Sequence, residues 1–209
     1  MNIFGLFPTP VAFCGGVITE EECNNLVDQI INCDEMVPNR NSDQLQHTGA
    51  ADTLKGPHID SLCEKLLPHV EEFGYQLMGD DELEWKFIGM WGNVMKPGGW
   101  QYKHNHGNSI LSGVLYLQMP EGAPATRFWR RERGDTFFLG HDGPGRTTDY
   151  NSEYTDLNNV RACDMLLFPS YVQHSVEQSG NGERISLAFN CVPDRINILD
   201  TYYLKLSSS

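Results

Sequence analysis

Residues Trp91 to Gln118 read WGNVMKPGGWQYKHNHGNSILSGVLYLQ, and how this stretch is read decides the fold. Short segments rich in β-branched and aromatic residues are broken by proline, glycine and asparagine, which is the pattern of antiparallel strands joined by turns. In an extended chain residues i and i+2 face the same way, so His104 and His106 present both imidazoles on one side if the strand reaches that far. Gly107 then lets the chain turn away and leaves the pair at a sheet edge. A distant stretch, Phe168 to Asn190, reads FPSYVQHSVEQSGNGERISLAFN and supplies the complement. His174 follows an apolar strand in which Pro169 ends regular pairing. Arg184 and Ser186 alternate with Ile185 and Leu187, so both polar groups share one face. A guanidinium fork beside a hydroxyl suits a carboxylate, held bidentately, whether that carboxylate belongs to a ligand or to an internal aspartate. Tyr116 can add a further hydroxyl. Three converging imidazoles suit iron, zinc, copper or nickel, whereas calcium would want more carboxylates.

Outward from these stretches, further strands are expected over Glu84 to Val94, Thr126 to Trp129, Thr136 to Leu139, Met165 to Phe168 and Ile185 to Val192. Ahead of them lies a helical part. Thr19 with Glu22 forms a capping box, and Cys23, Leu26, Val27, Ile30 and Ile31 recur on one helical face, ending near residues 32–34. A second helix starts at Pro57, a favoured first helical residue, and carries Ile59, Leu62, Leu66, Val70 and Phe73 inward; Pro68 is expected to kink or divide it. Residues 36–53 show no period of either kind and read as a long loop near a substrate entrance. Ile3 to Phe13, with two prolines, reads as an edge strand open to pairing with a second copy. Two helices before seven or more strands give a mainly β fold with flanking helices (α+β), a jelly roll or sandwich with helices on one sheet. The chain is read as one domain, with a helical part over about 19–79 and a jelly-roll core over about 84–192.

A formal charge of −13 over 209 residues argues against a nucleic-acid or membrane-surface protein, since either would need a basic face to neutralise phosphates. Six cysteines without a CxxC pair read as reduced thiols, and the amino terminus lacks a basic leader, which together point to the cytoplasm. Arg127, Arg130, Arg131 and Arg133 form a basic cluster, read as a solvated hairpin tip with a substrate-binding role as the alternative. Trp91 and Trp100 are read as core aromatics, Asn93 and Asn190 as hydrogen-bonding supports or strand-end caps. His47, His58, His69 and His141 fall outside the pattern.

The run HNHGNSILSGVLYL, with FPSYVQH and RISLAFN downstream, resembles the 2-oxoglutarate and iron(II)-dependent oxygenases, particularly a bacterial and bacteriophage subgroup with HxH in place of HxD. The resemblance spans roughly Trp91 to Val192. It implies a double-stranded β-helix of cupin-like jelly-roll type, with Fe(2+) held by His104, His106 and His174. It further implies 2-oxoglutarate, its far carboxylate held by Arg184 and Ser186 with Tyr116, and O2 as the second co-substrate. His106 departs from the superfamily pattern, which has aspartate or glutamate there. Three neutral imidazoles leave iron one negative charge short, which shifts its potential and weakens its hold; Asp164 is a candidate acid to contribute. The leading expectation is a dioxygenase that hydroxylates an unidentified small molecule or protein side chain. Beside it stand a three-histidine dioxygenase that uses no 2-oxoglutarate and a non-catalytic jelly-roll viral or structural module.

Overall fold

Thr19 starts the first helix as its spacing to Glu22 requires. Its Oγ1 accepts from the Glu22 N–H at 3.2 Å and the Glu22 carboxylate accepts from the Thr19 N–H at 3.0 Å, closing the capping box. The helix, α1 (Glu20–Ile31), buries Cys23, Leu26 and Ile30. The structure, a computed structural model, describes residues 1, 2, 5, 8–40, 42–49, 54–130, 152–198 and 202–205. The second helix, α2 (Pro57–Met78), starts at Pro57 and runs unbroken through Pro68, so it is not divided. Pro68 is exposed, and a missing backbone bond on the solvent side is made good by water.

The strands are β1 (Ala12–Cys14), β2 (Met36–Asn39), β3 (Ser42–Thr48), β4 (Trp85–Met95), β5 (Gln101–His104), β6 (Leu111–Gln118) and β7 (Thr126–Trp129). They continue with β8 (Tyr154–Asp156), β9 (Met165–Pro169), β10 (His174–Val176), β11 (Arg184–Pro193), β12 (Arg195–Ile198) and β13 (Tyr202–Lys205). A seven-stranded sheet has the order β1-β9-β6-β11-β4-β3-β2, and a four-stranded sheet the order β5-β10-β7-β8. From β4 to β7 and again from β8 to β11 the chain passes back and forth between these sheets. That alternation is the double-stranded β-helix, and it brings β10 between β5 and β7.

Period-two alternation sorts the larger sheet into two faces. Leu111, Leu115, Leu117, Ile185, Leu187 and Phe189 pack with Ile30, Leu66, Val70 and Phe73 of the helices. The opposite face places Val114, Tyr116, Leu166 and Phe168 against Phe128 and Val172 of the smaller sheet's side. Two glycines permit close approach on the helix side. A Cβ on Gly92 would sit 2.6 Å from Ile30, and one on Gly113 would sit 2.1 Å from the Phe189 ring.

Three expectations are corrected. Residues 36–49 are not a loop: β2 and β3 form a hairpin whose second strand pairs with β4, Leu45 opposite Met95 and His47 opposite Asn93. The segment is polar because few of its side chains are buried, and its strand character comes from the partner edge. The amino-terminal edge strand is shorter than expected, with Ala12–Cys14 paired to β9; Ile3, Phe4, Leu6 and Phe7 lie outside the described residues. Trp100 is not a core aromatic, being 37% exposed beside the Tyr102 ring. The expected strand Thr136 to Leu139, Arg131, Arg133 and His141 also lie outside the described residues. Arg127, the first of the basic cluster, is paired on β7 and β8, with its Nε 2.6 Å from Asp156 Oδ1 and its Nη1 2.9 Å from Glu177 Oε1.

Among the described residues no helix is long and apolar enough to cross a membrane. All six cysteines are free thiols.

Candidate metal and anion site

Sheet pairing brings the histidines together. His174 opens β10 and lies opposite His104 of β5, so their side chains are direct cross-strand neighbours. His106 sits just beyond β5, where its N–H donates to the Ser170 carbonyl at 3.0 Å. The ring centres are 4.3 Å apart for His104 and His174, 5.0 Å for His106 and His174, and 5.3 Å for His104 and His106. One nitrogen from each ring falls within 4.8 Å of the others, a spacing that a single ion can bridge.

Each ring is held from behind. His104 Nδ1–H donates to the Tyr102 carbonyl at 2.7 Å, His174 Nδ1–H to the Val172 carbonyl at 3.0 Å, and His106 Nδ1–H to Asn190 Oδ1 at 2.6 Å. With the proton on Nδ1, the lone pair sits on Nε2 of every ring, which is the tautomer a metal needs. Burial lowers all three pKa values, and that of His174 is pushed down to about 3. The trio is therefore neutral at pH 7, and a divalent cation of the iron, nickel or zinc type fits this donor set. Asp164 is no ligand here: its carboxylate caps a turn, accepting from the Gly16 and Arg161 N–H groups. Among the described residues the metal-binding cluster is the three histidines alone.

Asn190 is the support that its sequence position left open. Besides His106 it accepts from Ser112 Oγ at 2.8 Å, and Ser112 reaches Ser170 Oγ at 2.8 Å. β11 carries Asn190, Ser186 and Arg184 on one face, so the same strand that holds the His106 ring also supplies the buried guanidinium.

Arg184 is only 2% exposed. Its Nε donates to the Pro124 carbonyl at 3.0 Å, its Nη1 donates to Ser186 Oγ at 3.1 Å, and its guanidinium lies 5.2 Å from the Tyr116 ring centre. Burial lowers its pKa, with Tyr116 opposing, yet a guanidinium keeps its charge in proteins. Among the described residues no carboxylate pairs with it, so a buried cation faces the cavity with donor capacity unspent. Tyr116 is fully buried and does not line the cavity. Its hydroxyl lies 2.8 Å from Thr126 Oγ1, and Thr126 does line it.

These groups share one cavity of about 440 Å³, open between the two sheets. His104, His106 and His174 line one side, Arg184, Ser186 and Thr126 another. His47, which the sequence pattern set aside, lines it too, as do Trp91 and Asn93. Trp91 is thus a cavity wall, its ring centre 5.5 Å from that of His106, rather than a core aromatic. Pairing of His47 with Asn93 across β3 and β4 was hidden because β3 itself was not legible.

Residues 89–190 match the family model described as "Putative 2OG-Fe(II) oxygenase". No curated protein sequence matches the chain. Among solved structures, HygX from Streptomyces hygroscopicus with nickel, 2-oxoglutarate and hygromycin B bound superposes with a TM-score of 0.62 at 17% identity, covering 88% of this chain and 83% of that one. The viral collagen prolyl hydroxylase of Paramecium Bursaria Chlorella virus-1, in its 2OG complex, gives 0.57 at 16%, covering 87% and 94%. A Pseudomonas putida prolyl-4-hydroxylase gives 0.58 at 17%, covering 87% and 92%. At these identities the structural likeness is one of fold.

Proposed function

We propose that the chain is a 2OG-Fe(II) oxygenase, an enzyme that uses iron(II) and 2-oxoglutarate, a reading supported by the family model over residues 89–190, and we assign a role to each residue of the cavity. His104, His106 and His174 hold the iron through Nε2. Arg184 and Ser186 hold the far carboxylate of 2-oxoglutarate, and Tyr116 acts on it through Thr126, whose hydroxyl it orients. When bound, iron and 2-oxoglutarate supply oxidative decarboxylation coupled to hydroxylation of a substrate, with O2 as the second co-substrate. The protein's own part is to bind, orient and exclude water. Asn190 fixes the plane of the His106 ring, two main-chain carbonyls fix the other rings, and the hydrophobic wall of Val114, Val176 and Ala188 keeps the site dry.

One observation carries this reading: a buried guanidinium that no carboxylate among the described residues pairs with shares a cavity with three neutral imidazoles whose Nδ1 atoms are already engaged. An isolated buried charge is costly, and a dicarboxylic ligand with one end on the metal cancels that cost at the other. The target is taken to be a small molecule or protein side chain rather than nucleic acid, because the chain carries −13. The helical part and the jelly-roll core are taken to act as one domain, and edge strand β1 is open to pairing with a second copy.

The test is anaerobic addition of 2-oxoglutarate to the iron(II)-loaded protein. Chelation gives a visible metal-to-ligand charge-transfer band, lost in His174→Ala. A three-histidine dioxygenase that does not use 2-oxoglutarate gives no such band, and a non-catalytic module holds no stoichiometric iron; either result refutes the proposal.

A further inference from the structure

The cavity has a third wall that neither the metal trio nor the anion anchor uses. Across the inner face of the larger sheet, His47 of β3 pairs with Asn93 of β4, Asn93 with Ser186 of β11, and Ser186 with Tyr116 of β6. One row of side chains therefore runs from the co-substrate anchor outward to the β2–β3 hairpin. Trp91, two residues from Asn93 on the same face, extends this wall to within ring contact of His106. On the far side Asn39 donates to Gln101 at 3.0 Å and joins the hairpin to β5.

The hydrogen-bonding groups of this wall are unspent. His47 donates Nδ1–H to the Thr48 carbonyl at 3.0 Å, which leaves Nε2 as an acceptor. The Asn93 carboxamide and the Trp91 indole N–H make no hydrogen bond among the described residues, although both residues line the cavity. A polar side chain lining a cavity without a partner is satisfied by water or by a ligand. The wall also lacks charge. In a chain of net −13, no aspartate, glutamate or lysine among the described residues lines the cavity, and the one permanent charge among its described lining residues, Arg184, is assigned to the co-substrate.

We propose that His47, Asn93 and Trp91 position the substrate, and that the part of the substrate entering the site is uncharged and carries both a donor and an acceptor, as a hydroxyl or carboxamide does. The inference rests on the proposed function, since it takes Arg184 to be engaged by 2-oxoglutarate. Asn93 offers a donor and an acceptor side by side, His47 an acceptor, and Trp91 a donor and a flat apolar face beside the metal side. A cationic group would meet no carboxylate among the described lining residues and an anionic one would compete with 2-oxoglutarate for Arg184, so charge is selected against at both signs.

Two matched sets of small probes test this on the iron(II) and 2-oxoglutarate-loaded protein, kept anaerobic. The first is N-acetyl-leucinamide, leucinamide and N-acetyl-leucine, which are neutral, cationic and anionic. The second is methyl glucoside, glucosamine and glucuronate. Calorimetry is expected to show the neutral member of one set binding tightest, the first set pointing to a carboxamide and the second to hydroxyls. Asn93→Ala and His47→Ala should each weaken that neutral probe by about tenfold while the affinity for 2-oxoglutarate stays within twofold. Asn93→Asp should shift preference toward the cationic member, a gain that a misfolded variant cannot produce. Charged members binding as tightly as neutral ones, no binding by any of the six, or indifference to Asn93 and His47 overturns the inference. A protein that takes up neither iron(II) nor 2-oxoglutarate overturns the proposed function and this inference together; one that takes up both but fails the charge comparison overturns this inference alone.

Discussion

Replacing Asn190 by alanine tests how far the metal affinity depends on a residue that touches no metal. Asn190 Oδ1 accepts two hydrogen bonds, from His106 Nδ1–H at 2.6 Å and from Ser112 Oγ at 2.8 Å. Without it the His106 ring is no longer held in the plane that aims Nε2 at the site, and its proton is free to move to the other nitrogen. Supports of this kind contribute about 10- to 100-fold in metal affinity, or about 1.4 to 2.7 kcal/mol. Ser112 Oγ stands 3.3 Å from His106 Nδ1 and can accept in place of the lost amide. Asn190→Ala alone is therefore expected near the lower end, about tenfold, and Asn190→Ala with Ser112→Ala near the upper end. Competition titration with a chromophoric chelator, using nickel(II) as an air-stable probe, gives the constants, and circular dichroism shows whether the fold persists. Wild-type affinity in both variants, with the fold intact, would refute the argument that His106 is a ligand held through Asn190.

Arg184→Met should lower the affinity for 2-oxoglutarate by at least about 100-fold, because charge-assisted bonds to a carboxylate are lost, while leaving the metal-free protein as stable as before or more so, because an unpaired buried charge is removed. Denaturant midpoints and the charge-transfer titration read the two effects, and a destabilised variant with normal 2-oxoglutarate binding would contradict them. Acidification should destabilise the metal-free protein. The folded pKa of His174, about 3, lies below its unfolded value of about 6.5, so stability is fully present above that value and falls as pH drops through it, by up to about 1.4 kcal/mol per pH unit. Urea midpoints that do not move between pH 7.5 and 5 would exclude it. Gly113→Ala, whose Cβ would lie 2.1 Å from the Phe189 ring, should cost about 1–3 kcal/mol and lower Tm by several degrees, with part of the loss restored by adding Phe189→Leu; an unchanged Tm would show that the ring has room to move.

What could be read from the sequence was what local chemistry settles. Thr19 and Glu22 announce α1 because both halves of a capping box lie within one turn, and Thr126 to Trp129 stands out as a strand through its own alternation. The alternation of Arg184 and Ser186 with Ile185 and Leu187 likewise put two polar groups on one face before any coordinates. What could not be read depends on partners remote in the chain. β3 buries only Ser42, Leu45 and Thr48, which fits no strand period, and is a strand because the edge of β4 is free to pair with it. His47 became part of the site only through that pairing. β10 has three residues, too few to show any period, and takes its form from the strands on either side. Pro68 broke no helix because solvent, invisible in a sequence, covers the place where the backbone bond is missing.

The histidine trio is shared between layers. His104 and His174 belong to the four-stranded sheet, whereas His106 leans on Asn190 of the seven-stranded one. An ion bound at all three would act as a tie-rod through the middle of the sandwich, and pulling the layers apart would mean releasing it. Occupancy then becomes mechanical strength: at a hundredfold excess of free metal over Kd the loaded fold gains about 2.7 kcal/mol. The supply of the cation would set how long the molecule survives heat or protease as well as whether it turns over.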